Sequence, residues 1–198
     1  SSFVVESETD KIFKKDSLIF LVDYANDNLK IINYKSINNP EQIAQINLYQ
    51  NVVNAIASKD NILFLSQRYS LNFWDINSAA FPDSVGRIPL LGDVYEIVII
   101  DSLLFTCQNP GGLVIYNISN PLSPVLISSL STSPEISQLE FISDYIIGGF
   151  WGGLKVINVG NPYVPQEVGF IPLQGSLGDV KTIDKYIRGD DVQSPKEK

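Results

Sequence analysis

The chain has 198 residues, 44% of them apolar, a net charge of −8 and no histidine. Such a length and apolar share suit one sizeable globular domain or a compact repeat array and exclude a disordered chain. The acidic balance gives no electrostatic footprint for nucleic acid and no polybasic hold on anionic lipid. The lack of histidine excludes Ser-His-Asp and Cys-His constellations and any zinc site that needs imidazole.

The opening residues, Ser1 to Glu6, carry neither the basic region nor the apolar core of a signal peptide. No methionine occurs anywhere, as expected of a processed or excised chain, so a missing leader says little about compartment. The longest apolar run, Tyr145 to Leu154, is too short to span a bilayer, and no membrane insertion is expected. The lone Cys107 has no partner for an internal disulfide and lies in a β-like run, which predicts a buried structural thiol.

An internal period organises the whole sequence. Leu29, Leu71, Leu113 and Leu154 stand 42, 42 and 41 residues apart. Four residues after each comes Asn33, Asp75, Asn117 or Asn158, and eleven after each comes Pro40, Pro82, Pro124 or Pro165. Ten to thirteen residues before each leucine, an Asp precedes one residue and two large apolar ones, beginning at Asp16, Asp60, Asp101 and Asp144. The same marker opens again at Asp184, and its unit never reaches a leucine and proline.

Within a unit the pattern is β throughout. In the third, Tyr95–Ile100 predicts a strand, Asp101-Ser102 a tight turn, and Leu103–Cys107 a second strand. Gln108–Gly112 should break it, Leu113–Ile118 form a third strand, Ser119–Pro124 a loop and Val125–Leu130 a fourth strand. No segment holds a helical period. The predicted fold is all-β: a β-propeller of four-stranded blades about 41–42 residues long. Blades are expected near 8–48, 52–90, 94–130 and 136–173, with a partial fifth at 177–188, in one domain over 1–190 followed by a polar tail, 191–198.

"GLVIYNISNPLSP" (112–124) and "GLKVINVGNPYVP" (153–165) resemble the LVIVD repeat, Gly-Leu-x-Ile-x-Asp-x-Ser-Asn-Pro-x-x-Pro. "NLKIINYKSINNP" (28–40) and "SLNFWDINSAAFP" (70–82) keep the Leu, the Asn or Asp and the last Pro, without the opening Gly or the Ser-Asn-Pro. The resemblance covers residues 12 to 173 and part of 177 to 188. It implies a β-propeller, usually on secreted or cell-surface proteins of prokaryotes, and no particular reaction or cofactor. Four units and a fraction leave two closures open. Phe3-Val4-Val5 would give a fifth blade its outer strand, or the chain is a piece of a longer propeller.

Candidate chemistry is sparse, and no metal or cofactor is expected. The recurring Asp16, Asp60, Asp101, Asp144 and Asp184 read as hairpin-turn residues, because a catalyst would be needed once, not five times. Asn33, Asp75, Asn117 and Asn158 read as caps on the loop backbone. Asn117-Ile118-Ser119 spells a glycan acceptor, usable only in a secreted chain with the side chain outward. Asp23 to Asn28 holds oxygen ligands without the glycine and terminal Glu of a calcium loop. "GGFWGG" (148–153) matches no phosphate-binding pattern, and Arg188-Gly189-Asp190 spells an adhesion tripeptide on a fraying end.

In a propeller, loops joining second to third strands share one face with loops joining successive blades. The first set carries Tyr24, Arg68, Tyr69, Asn109 and Trp151; the second carries Tyr49, Gln50, Asp93, Ser133 and Glu135. These positions vary from unit to unit, as a recognition surface on a regular scaffold does. The leading expectation is a non-enzymatic extracytoplasmic or cell-surface module that binds a protein or a carbohydrate, or that self-assembles. The rivals are a carboxylate-dependent hydrolase acting on a carbohydrate at the channel mouth and a subunit completed by strand donation.

Overall fold

The structure is a computed structural model that describes residues 9–48, 52–173, 177–183 and 186–191. Every regular element among them is a β-strand. Contacts divide the chain into two compact units, Ser1–Val94 and Tyr95–Lys198.

The first unit holds two four-stranded antiparallel sheets. One is β1 (Thr9–Lys15), β2 (Leu18–Asp23), β3 (Asn28–Asn33) and β4 (Glu41–Asn47); the other is β5 (Val53–Lys59), β6 (Ile62–Gln67), β7 (Ser70–Asp75) and β8 (Asp83–Pro89). Phe20, Val22, Leu29 and Ile31 of the first sheet pack with Val53, Leu63 and Leu65 of the second. Each such side chain contributes about 1.5–3 kcal/mol on leaving water.

The second unit begins within β9 (Asp93–Ile100), which continues into β10 (Leu103–Asn109), β11 (Gly112–Asn117) and β12 (Val125–Leu130). A fourth sheet follows as β13 (Gln138–Ile142), β14 (Tyr145–Phe150), β15 (Gly153–Asn158) and β16 (Gln166–Pro172). Phe105, Cys107, Leu113 and Ile115 of the third sheet meet Leu139, Ile146 and Ile157 of the fourth. The last strands, β17 (Leu177–Ile183) and β18 (Tyr186–Asp191), pair as a two-stranded sheet. Val180 of β17 packs on Ile147 and Leu154.

The period seen in the sequence is a period of backbone geometry. The leucines sit second in β3, β7, β11 and β15 and are 0, 0, 0 and 5% exposed. The prolines directly precede β4, β8, β12 and β16, where a missing N–H costs no ladder bond. Pairing of the third with the fourth strand slips by one residue at Ile31/Ile32, Phe73/Trp74, Ile115/Tyr116 and Val156/Ile157. The same bulge thus recurs in all four four-stranded sheets and bends the fourth strand of each.

Three expectations need correction. β10 runs on through Gln108 and Asn109, and β11 starts at Gly112, because Gln108 pairs with Gly112; only Pro110-Gly111 form the turn. In the fourth sheet the marker aspartate is one place out of register. Asp16, Asp60 and Asp101 take the first turn position with φ of 52°, 51° and 52°, but Ser143 holds it there with φ 54°. Asp144 stands second, as Ser17, Asn61 and Ser102 do: these four carbonyls accept N–H bonds from Val159, Tyr34, Ile76 and Ile118 at 2.7–2.9 Å. Finally, β18 extends to Asp191, three residues past the expected blade end at 188, so Arg188-Gly189-Asp190 is paired strand rather than a fraying end. Asp184 and residues 1–8 lie outside the described residues.

Candidate functional site

The repeated polar residues are committed to structure. Asn33 Oδ1 accepts the N–H of Lys35 at 2.9 Å, Asp75 Oδ1 that of Asn77 at 2.7 Å, Asn117 Oδ1 that of Ser119 at 2.8 Å and Asn158 Oδ1 that of Gly160 at 2.9 Å. An oxygen acceptor two residues upstream of a free amide closes an Asx turn, which explains why only Asn or Asp occurs at this position. Beyond it, each loop makes a four-residue turn, with N–H bonds from Asn39 to Ser36, Phe81 to Ser78, Ser123 to Asn120 and Val164 to Asn161.

The oxygen-rich run after β2 is engaged as well. Asp23 is fully buried; its Oδ2 lies 2.7 Å from Lys30 Nζ and 3.0 Å from Asn26 Nδ2, and its Oδ1 accepts the N–H of Asn26. The lysine thus occupies the position at which a cation would neutralise this carboxylate. Among the described residues no three His, Cys, Asp or Glu side chains gather as a metal site.

Gly148 and Gly149 of "GGFWGG" serve packing, whereas Gly152 takes a positive φ of 104° in the turn. A Cβ on Gly148 would lie 2.7 Å from Ile136 Cγ2, and one on Gly149 would lie 2.9 Å from Val180 Cγ2. Bare backbone on β14 therefore lets its neighbours approach. Cys107 is buried and donates a long, weak bond to the Glu96 carbonyl at 3.9 Å. Burial, then the charge of Glu96, pushes its thiol up to about 12, so it carries no thiolate at neutral pH. Burial also raises the phenol of Tyr116, whose oxygen accepts a bond from Gln108 Nε2 at 3.3 Å.

The non-repeating residues behave differently from one another. In the first unit, Arg68 and Tyr69 form the two-residue turn between β6 and β7, and Tyr69 is 62% exposed. Its carbonyl accepts the N–H of Leu90, which ties this turn to the connection leading to Asp93. Asp93 itself is the half-buried first residue of β9. Tyr24 is a packing residue: its ring lies against the core of the first two sheets, and its hydroxyl donates to the Val53 carbonyl at 2.6 Å. Tyr49 and Gln50 lie outside the described residues.

In the second unit, Trp151 occupies the turn between β14 and β15 and is 79% exposed. Glu135 and Ser133 are exposed on the connection from β12 to β13, where the Ser133 carbonyl accepts from Lys155 Nζ at 3.0 Å. Asn109 ends β10, exposed, with its Nδ2 3.4 Å from the Tyr95 hydroxyl. Arg68, Tyr69, Trp151, Ser133 and Glu135 are thus open to solvent, whereas Tyr24 is spent on holding two sheets together. Sequence reading did not single out Lys155, which is 4% exposed and sits over the Phe150 ring at 5.8 Å. Its alternation with apolar neighbours on β15 was the available signal.

No protein-family model matches the chain. No curated protein matches it either. Among solved structures, the chain is similar to the computationally designed Ika8 protein, with a TM-score of 0.72 and 15% identity over 93% of this chain and 55% of that one. It is similar to a functionally unknown protein from Desulfotomaculum acetoxidans, with a TM-score of 0.72 and 10% identity over 91% and 61%. It also resembles the β-propeller domain of Cps50 (Swd1) from Myceliophteria thermophila, with a TM-score of 0.66 and 10% identity over 83% and 58%. The fold is β-propeller-like. In each of these three comparisons the chain spans less than two thirds of the other's length, and at such identities the likeness is one of fold.

Proposed function

We propose that this chain is a non-enzymatic protein-interaction or structural module of the LVIVD-repeat kind, displayed outside the cytoplasm. The observation that carries this reading is a division of labour. Asn33, Asp75, Asn117 and Asn158 each spend a side-chain oxygen on an Asx cap, while the exposed Arg68, Tyr69, Trp151 and Glu135 do not repeat. Exposed aromatic and Arg side chains on rigid turns are the residue types that anchor a protein partner. The LVIVD resemblance supports the extracytoplasmic location. In this proposal each four-stranded sheet is one blade, and β17 with β18 opens a further one.

A second reading, a subunit completed by strand donation, draws on the two-stranded sheet, in which β18 has no third strand beside it among the described residues. Site-specific photo-crosslinking from positions 69 and 151 on intact cells of the source organism tests the first reading. A discrete adduct from either position, absent from the exposed loop position 122, is the expected result. Equal labelling from all three positions, or turnover of a carbohydrate by the purified chain, overturns it.

A further inference from the structure

The end of each sheet that carries the hairpin turn and the proline loop repeats its backbone, yet not its side chains. In the second sheet Asn61 Nδ2 donates to Asn77 Oδ1 at 2.6 Å and bridges turn to loop. In the fourth sheet the register places Asp144 where Asn61 stands and Gly160 where Asn77 stands. The glycine offers no side chain, and no bridge forms. A second exchange lies beside it: Tyr145, 39% exposed, replaces Leu18, Ile62 and Leu103. Asp144, Tyr145 and Gly160 line a groove of about 560 Å³, together with Asn158, Asn161, Val164 and Gln166.

Its chemistry is specific. Asn158 and Asn161 spend their Oδ1 atoms on the amides of Gly160 and Tyr163, at 2.9 and 3.1 Å, which leaves their Nδ2 groups as donors on offer. Asp144 supplies a carboxylate that can accept two neighbouring hydroxyls, and Gln166 supplies both a donor and an acceptor. Tyr145 gives an aromatic face for the C–H side of a ring. A phosphate or other anion would meet Asp144 on a chain of net charge −8. A strongly cationic ligand would find only one carboxylate among the seven lining residues.

We propose that this groove binds a neutral saccharide, through its hydroxyls at Asp144, Asn158 and Asn161 and its ring at Tyr145. The site lies at the opposite end of the sheet from Trp151 and does not depend on the protein-interaction reading. A single carboxylate in the groove makes it a binding site and not a hydrolytic one.

The test is saturation-transfer NMR on the intact chain, with cellotetraose, maltotetraose and triacetylchitotriose as probes and tetralysine as the cationic comparison. At least one sugar should bind saturably with a millimolar Kd. Gly160→Asn, which copies Asn77 of the second sheet, and Tyr145→Leu, which copies Leu103 of the third, should each weaken that binding about tenfold or more without shifting the melting transition downward. Both use residues the same scaffold already carries; Gly160 has no positive φ to strain, and a Cβ there would lie 3.3 Å from Asn158 Oδ1 and from Asp144 Cβ, a contact that a shift of a few tenths of an ångström relieves. Silence from all three sugars at about 10 mM, binding of tetralysine alone, or a sugar Kd that survives either substitution overturns the proposal.

Discussion

Lys155 Nζ lies 2.8 Å from Glu167 Oε2, and the two partners differ in burial: the lysine side chain is 4% exposed and the glutamate 37%. The lysine also donates to the Ser133 carbonyl, so one cation ties β15, β16 and the connection before β13 together. Breaking such a pair from the exposed side leaves a buried charge behind, whereas removing the buried charge does not.

Glu167→Gln should therefore destabilise the second unit by about 1–2 kcal/mol, and Lys155→Met, which keeps the alkyl packing over Phe150, should cost less. Urea denaturation of the two variants checks the order. A larger loss for Lys155→Met would mean that the hydrogen bond to Ser133 dominates.

The Asx caps predict a difference between two substitutions at one position. Asn117→Ala removes the acceptor for the Ser119 amide and should cost about 0.5–1.5 kcal/mol, a fall in Tm of about 1–6 °C for a chain of this size. Asn117→Asp keeps the oxygen, as Asp75 does naturally, and should melt within a degree or so of the parent. Thermal scans monitored by circular dichroism report both.

Much of this was legible beforehand because the repeat is written in residues with fixed backbone jobs. A buried Leu, an Asx acceptor and a Pro before an edge strand each tolerate few substitutes, so their spacing revealed the unit. Elsewhere, local composition misled. Gln108-Asn109-Pro110-Gly111 reads as a long break, yet pairing of Gln108 with Gly112 carries β10 two residues further. The Asp144-Tyr145-Ile146-Ile147 string mimics the turn marker, although Ser143 adopts the left-handed φ. Pairing with β17 likewise overrides the loop-like composition of Arg188-Gly189-Asp190. The groove at Gly160 was overlooked because its signal is a missing side chain, visible only once the sheets are in register.

Cys107 makes stability fall at alkaline pH. Its thiol ionises near the ordinary 9.0 once unfolded and near 12 in the fold, so the folded state holds the proton more tightly. The contribution is complete below pH 9 and is lost as pH rises toward 12. Cys107→Ala should show a shallower loss across that window, with the raised Tyr116 phenol contributing equally to both proteins. Denaturation midpoints at pH 8, 9 and 10 measure the difference, alongside a native thiol that resists labelling at pH 8.

Close packing at Gly149 gives a sharper test of the fifth sheet. Gly149→Ala would press a methyl group against Gln138 of β13 and Val180 of β17 and should cost about 1–3 kcal/mol, speeding amide exchange in β17. Gly169→Ala meets Val156 only at 3.4–3.5 Å and should leave β17 protection unchanged. Comparable exchange in both variants would show that β17 does not rest on β14.

In the proposed reading the Asx caps build the scaffold, and the exposed turn residues Tyr69 and Trp151 recognise a protein partner. The most direct measurement pairs stability with binding to the protein captured at position 69 or 151, for Asp75→Ala, Asn158→Ala, Tyr69→Ala and Trp151→Ala. The first two should lower Tm and keep partner affinity, while the last two should keep Tm and weaken binding about tenfold or more. Tyr69→Ala and Trp151→Ala variants that melt early yet bind normally would contradict that reading.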